Sequence, residues 1–506
     1  MSFLETWQLR AAFARRLSDL YGTEVPAYVT LLEVTGEVNR DVMGAQGAAA
    51  ERLGSIDRVT AERHGAIRVG DPRELRQVAT IFAAMGMYPV GFYDLREAAP
   101  TPIPVVSTAF RPIDAAELAR NPFRMFTSML VPEDRRFFDD DLGARVRTFV
   151  GARRLFPDEL LDLAARAEAA GGLDNTDADT FLALATGAFA LSGQPVDRAW
   201  YAELTAVSAV AADIAGVGST HVNHLTPRVL DIDELYRRMS DRGITMIDEI
   251  QGPPMWAGPD VLLRQTSFRA LDESRRFLEA DGTTTQGHLR VRFGEVEARG
   301  VAPTPEGRAR YETAMRRTAE AAADIADRAA VLAREWAALF PDTDLGLIEQ
   351  DLAYFTVTAT PGAAASDAAV SDAAVSDAAV CDAVAPGPAV AGNTGTATTG
   401  AHAGPAARDG MGDLVELVRS GVLSVRPIVY EDFLLQSAAG IFSSNLTGKG
   451  TVDAAEAGVP RDRQWMAAAI DREIRDPFEL YAAERQASLD AAATVLGLSG
   501  IRLPGR

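Results

Sequence analysis

The chain has 506 residues, 47% hydrophobic and 24% charged, ordinary for a soluble globular protein and long enough for two or more domains or one large fused core. Its net charge of −21, from 50 basic and 71 acidic residues, leaves no surplus of Lys and Arg for a phosphate backbone or an anionic bilayer, so neither nucleic acid nor membrane is expected as a partner. A single cysteine, Cys381, excludes an intrachain disulfide and a Cys-based zinc site.

The opening MSFLETWQLRAAFARRLSDLYG reads as an amphipathic helix without the apolar core and cleavage site of a signal peptide. With no apolar run long enough to span a bilayer, a cytoplasmic location is expected. Residues 1–85 read mainly helical, with IRV and the turn signal GDP between segments. Met85–Leu95 and Ile103–Ile113 read as strands, and the aromatic-rich NPFRMFTSMLVPEDRRFF as a segment packed against their sheet. Residues 156–216 are Ala/Leu-rich and helical, with Pro and acidic residues where helices start. Gly216–Pro254 then reads strand, turn, helix, turn, strand, and Val261–Leu271 is a further strand. So many strands with few intervening helices favour α+β with a mostly antiparallel sheet over a doubly wound parallel one. Residues 304–340 are strongly helical, with Thr304 and Pro305 suited to the start.

Residues 362–408 differ from the rest. SDAAV repeats three times in tandem from Ser366, and almost no large apolar side chain follows before AGNTGTATTGAHAGP ends. Such a composition cannot offset its ordering entropy, so a disordered insertion is expected there. The expected organisation is one fused α+β catalytic domain, formed by residues 1–361 and 409–506. The insertion takes Cys381 and His402 with it, leaving His64, His221, His224 and His288 for a structured site.

Gln286–Gly300, QGHLRVRFGEVEARG, carries the most informative pattern. Leu289, Val291, Phe293, Glu295 and Glu297 alternate onto one face, so an intact strand runs from apolar side chains into two carboxylates. Buried carboxylates need a cation or good donors. A bulge at Gly294 would instead turn both to solvent. His221 and His224, in THVNHLTP, share a face on a helix but not on a strand. Their Gly-rich and Pro-containing flanks favour extended chain, so one of the two is expected as a ligand, the alternative being core histidines bonded to backbone. His64 and Arg68 in ERHGAIRVG stand four apart, on one side of either a helix or a strand. A metal-binding imidazole beside a carboxylate-clamping guanidinium suits an oxo acid, and a plain surface helix is the bland alternative. Two histidines and a carboxylate suit a non-haem Fe(II) centre that uses O2, or a zinc site for hydrolysis. A Gly-x-Ser-x-Gly elbow, a Walker A loop, a Gly-x-Gly-x-x-Gly turn after a strand and an EF-hand loop are all missing from the sequence.

THVNHLTPRVLDID, LLRQTSFRAL, RFGEVEARG and YEDFL-x-x-SAAGIF, in this order, resemble the 2-oxoadipate dioxygenase/decarboxylase (hydroxyglutarate synthase) family from about Leu31 to Asn445. The resemblance implies a central curved sheet related to the vicinal oxygen chelate fold, wrapped by added helices. It implies Fe(II)-dependent conversion of 2-oxoadipate and O2 to D-2-hydroxyglutarate and CO2, a step of lysine catabolism. By motif position it places the metal ligands at His64, His224 and Glu297, with His221 and Glu295 as rivals of the last two. It places the catalytic, substrate-holding arginine at Arg68, and further substrate contacts at His64, Gln436 and Ser437. The family pattern before SAAGIF is Pro-Val, whereas this chain has Leu435-Gln436, which bears on substrate preference. The alternative activity is that of a vicinal-oxygen-chelate lyase or isomerase acting on another 2-oxo acid without O2. The oligomeric state is left open.

Overall fold

The computed structural model describes residues 3–98, 102–290, 292–322, 325–361, 410–434, 445, 452–453 and 455–505. In chain order its strands are β1 (Phe3–Glu5), β2 (Arg63–Val69), β3 (Tyr88–Asp94), β4 (Val105–Arg111), β5 (Arg124–Leu130), β6 (Gly172–Asp174), β7 (Val196–Asp197) and β8 (His224–Pro227). They continue with β9 (Leu263–Phe268), β10 (Glu273–Leu278), β11 (Thr284–Leu289), β12 (Gly294–Arg299), β13 (Phe355–Ala359), β14 (Met411–Asp413), β15 (Leu423–Pro427) and β16 (Gly500–Arg502). The main sheet has the order β3-β4-β5-β2-β8, antiparallel except where β2 lies parallel to β5. A parallel bridge from Arg228 to Glu297 joins the end of β8 to β12, which pairs antiparallel with β9. The α+β class with mostly antiparallel strands is what the sequence led one to expect.

Alternation along β2 explains why the sheet forms where it does. Ile67 and Val69 pack into one apolar cluster with Val106, Phe110, Met125 and Met129, beneath helices Thr6–Glu24, Pro26–Gln46 and Pro72–Ala83. Ala66 faces the other way, into a second cluster with Val105, Ala109, Phe126 and Leu130. The polar residues His64 and Arg68 share that second face. A third cluster, centred on Trp336 stacked on Phe340 at 4.0 Å, belongs to the C-terminal part and the helix Pro477–Leu496. No helix among the described residues is long and apolar enough to cross a membrane.

Two local expectations change. The segment Arg124–Leu130, expected to pack on the sheet, is an inner strand of it, buried on both faces. The stretch 287–300 is not one strand: β11 ends at Leu289 and pairs with β10, while β12 starts at Gly294 and pairs with β9. Arg290 pairs with Asp272, and Arg292 with Glu273 and Glu24. Residues 362–409, including the SDAAV repeats, Cys381 and His402, lie outside the described residues, as do Gln436 and Ser437.

Candidate metal centre

β2, β8 and β12 lie side by side, with His64 opposite Thr226 in the β2/β8 register and Glu297 bridged to Arg228. This brings His64, His224 and Glu295 together from three strands. One nitrogen of each ring and one carboxylate oxygen lie within 4.8 Å of one another, and all three residues are buried. His64 Nε2 is 3.5 Å from Glu295 Oε1 and His224 Nε2 is 3.4 Å from Glu295 Oε2. The imidazoles stand edge to face at 5.6 Å, with Phe433 against His64 at 4.9 Å and Phe293 against His224 at 5.1 Å. These phenyl rings keep water from that side.

The two glutamates of FGEVE both turn inward, but to different partners. Glu297 Oε1 accepts from Arg299 Nε at 2.5 Å and Arg124 Nη2 at 3.2 Å. Its Oε2 accepts from Arg299 Nη2 at 2.9 Å and lies 3.2 Å from His64 Nδ1. That fills the lone pairs a carboxylate offers. Glu295 instead stands between the two Nε2 atoms. The expectation that Glu297 is the third ligand therefore meets a different arrangement, in which Glu297 abuts the far nitrogen of His64 and Glu295 lies where a shared cation would. A carboxylate placed behind an imidazole in this way fixes the tautomer and orientation of the ring.

Behind Glu297 lies a buried ionic network that sequence reasoning missed. Glu62 accepts from Arg228 Nη1 at 2.8 Å and from Arg124, and Arg124 also pairs with Glu431, which pairs with Arg58. Alternation does carry a trace of it: Glu62 is two residues before His64, and Arg299 two after Glu297, each pair on one face. Convergence with Arg124 and Glu431 is long-range and leaves no such trace. Tyr21, from the first helix, was also missed. Its hydroxyl donates to the carbonyls of Asn223 at 2.9 Å and Phe293 at 2.8 Å, tying down the residues that precede His224 and lead into Glu295.

Burial would raise the Glu297 carboxyl, yet Arg299, His64 and Arg124 hold it well below the usual range. Glu295, without a guanidinium that close, is pushed up by burial. Burial drives His224 well below its ordinary value, with His64 and Arg68 adding to the effect. For His64 burial is outweighed by Glu297 and Glu295, and its value rises. Two imidazole nitrogens and a desolvated carboxylate that converge in this way suit a divalent cation of borderline softness and leave coordination positions open. His224 Nδ1 is buried and makes no hydrogen bond among the described residues.

Arg68 sits on the same face of β2 as His64, is buried, and donates from Nη1 to Asp213. His221 does not join the ligand group: its Nε2 is 3.4 Å from Asp213 Oδ1 and 3.1 Å from Asn223 Nδ2.

Residues 13–445 match the family model described as 2-oxoadipate dioxygenase/decarboxylase. A Mycobacterium tuberculosis protein named 2-oxoadipate dioxygenase/decarboxylase is 54% identical, over 96% of this chain and 98% of its own. One of the same name from Pseudomonas putida is 38% identical, covering 99% of both chains. The crystal structure of the hydroxyglutarate synthase from Pseudomonas putida in complex with 2-oxoadipate superposes with a TM-score of 0.77 at 34% identity, over 98% of this chain and 100% of that one.

Proposed function

The chain belongs to the 2-oxoadipate dioxygenase/decarboxylase family, and from that premise we propose that it converts 2-oxoadipate and O2 to D-2-hydroxyglutarate and CO2 at an Fe(II) centre. The observation that carries the reading is the buried convergence of His64, His224 and Glu295 on three adjacent strands. We assign the ligand role to these three, with Glu295 in place of Glu297. Fe(II), when bound, supplies activation of O2 and a point of chelation for the 2-oxo acid.

The chain's own residues supply the rest. Glu297, gripped by Arg299 and Arg124, keeps the His64 ring turned with Nε2 toward the centre. Arg68, on the same face of β2, neutralises a substrate carboxylate and fixes its pose. Phe433 and Phe293 keep bulk water from the rings they pack against, protecting the reaction from side paths. Gln436 and Ser437 are assigned to substrate contact by their position before and within SAAGIF.

Anaerobic reconstitution with Fe(II), followed by an oxygen-electrode assay across 2-oxo acids of different length, tests the reading. Expected are O2 uptake that depends on 2-oxoadipate and equimolar release of CO2 and 2-hydroxyglutarate, with chiral chromatography giving the D form. Turnover of a 2-oxo acid without O2 uptake would point to a lyase or isomerase instead.

A further inference from the structure

We propose that Asp213 is a positioning residue for Arg68, held in place by His221 and Asn223, and that these three residues set how the protein recognises a carboxylate. The inference rests on the reading of Arg68 as the holder of a substrate carboxylate, the one distal to the 2-oxo group.

Arginine has many rotamers to lose, so an arginine that must present its fork in one pose benefits from an anchor. Arg68 Nη1 donates to Asp213 Oδ2, a charge-assisted bond in a buried setting. A buried carboxylate is itself costly unless other donors hold it. Asn223 Nδ2 donates to the same oxygen at 2.9 Å, and His221 Nε2 lies 3.4 Å from the other. The segment bearing these side chains is in turn tied to the backbone of β2. Thr220 Oγ1 donates to the Arg68 carbonyl at 2.7 Å, and Asn223 N–H to the Ala66 carbonyl at 2.8 Å. One stretch of chain thus fixes both ends of Arg68. It also gives THVNH a division of labour: His224 faces the ligand group, while His221 and Asn223 face Asp213. Asp213 and His221 further line a small cavity of about 30 Å3 with Gln194, Ser219 and Arg275, the space toward which a longer side chain at position 213 can extend.

The test compares steady-state kinetics of the Fe(II)-loaded variants Asp213→Asn, Asp213→Glu, Arg68→Met and Asp213→Asn/Arg68→Met on 2-oxoadipate and on 2-oxohexanoate, which lacks the second carboxylate. Asp213→Asn is expected to raise KM for 2-oxoadipate at least tenfold with kcat and iron content within twofold. Its preference for the dicarboxylate should fall tenfold, whereas general destabilisation would lower both substrates alike. Asp213→Glu should return KM to within threefold, and the double variant should match Arg68→Met, because a residue acting through Arg68 has nothing to position once it is gone. If Asp213→Asn does not fold, Asn223→Ser, which removes a donor from Asp213, is read by the same criteria. An unchanged KM in Asp213→Asn where Arg68→Met raises it, or effects that multiply in the double variant, overturns the inference alone. An unchanged KM in Arg68→Met overturns the assignment of Arg68, and this inference with it.

Discussion

Two glutamates two residues apart, on one face of one strand, have opposite electrostatic fates. Glu297 shares a cage with Arg299 and Arg124 and is held ionised, while Glu295 faces the imidazoles of His64 and His224 and is raised by burial. Variants of the pair should therefore behave differently. After Fe(II) loading and dialysis, Glu295→Ala is expected to retain almost no iron by metal analysis. Glu297→Gln should retain it with an affinity about 10- to 100-fold weaker, the usual effect of losing a carboxylate behind a ligating histidine. The reverse pattern would return the ligand role to Glu297. Alternation in FGEVEAR made the inward pair legible, but choosing between them needed the guanidiniums. Arg299 was readable, since it follows Glu297 on the same face. Arg124 was not, because it arrives from a strand about 170 positions away.

At the scale of elements, the strand expected over 287–300 divides because its two halves serve different sheets. Gly294 lies opposite Phe268 in the β12/β9 register: a Cβ there would stand 1.9 Å from the ring of Phe268, itself fully buried. Gly294→Ala should therefore destabilise the fold by about 1–3 kcal/mol through overpacking, read as a lower urea midpoint with unchanged slope. Arg124 makes a second element-scale case, because its one guanidinium ties β5 to Glu62 before β2, to Glu297 in β12 and to Glu431. Arg124→Met leaves those carboxylates buried with fewer partners and should cost about 3–5 kcal/mol in the same measurement. A loss below 1 kcal/mol would mean that water already serves these groups. The strands legible in the sequence include β3 and β4, bounded by turn residues; β2 was not, because RHGAIRV lies in a stretch that reads mainly helical. β5 was harder because it is buried on both faces, so polar and apolar side chains fall on each and RMFTSML shows no alternation. The helical stretch 304–340 was seen as one segment, whereas the structure has helices Pro305–Ala321 and Ile325–Leu339.

For the molecule as a whole, the response to acid separates global from local electrostatics. The chain has a net charge of −21 at pH 7 and an isoelectric point near 4.8. Lowering the pH toward that point removes self-repulsion, which by itself favours the compact state. His221 and Glu62, both buried, act in the opposite direction. Burial pushes His221 down to about 4 from an ordinary 6.5, although Asp213 opposes the shift. Its neutral form is thus favoured by folding, and between pH 6.5 and 4 the unfolded chain binds the additional proton. Stability from this source is complete above pH 6.5 and is lost as the pH falls through 4, by about 3 kcal/mol. Glu62 extends the loss to lower pH: burial would raise it, but Arg228 and Arg124 hold it far below 4.5, so its contribution is present above 4.5 and disappears in stronger acid. Urea midpoints measured from pH 7 to pH 4 are therefore expected to fall even as the net charge approaches zero. His221→Gln, which cannot take up a proton, should flatten the part of the decline between pH 6.5 and 4. A midpoint that instead rises steadily toward the isoelectric point would show that net repulsion outweighs these buried groups.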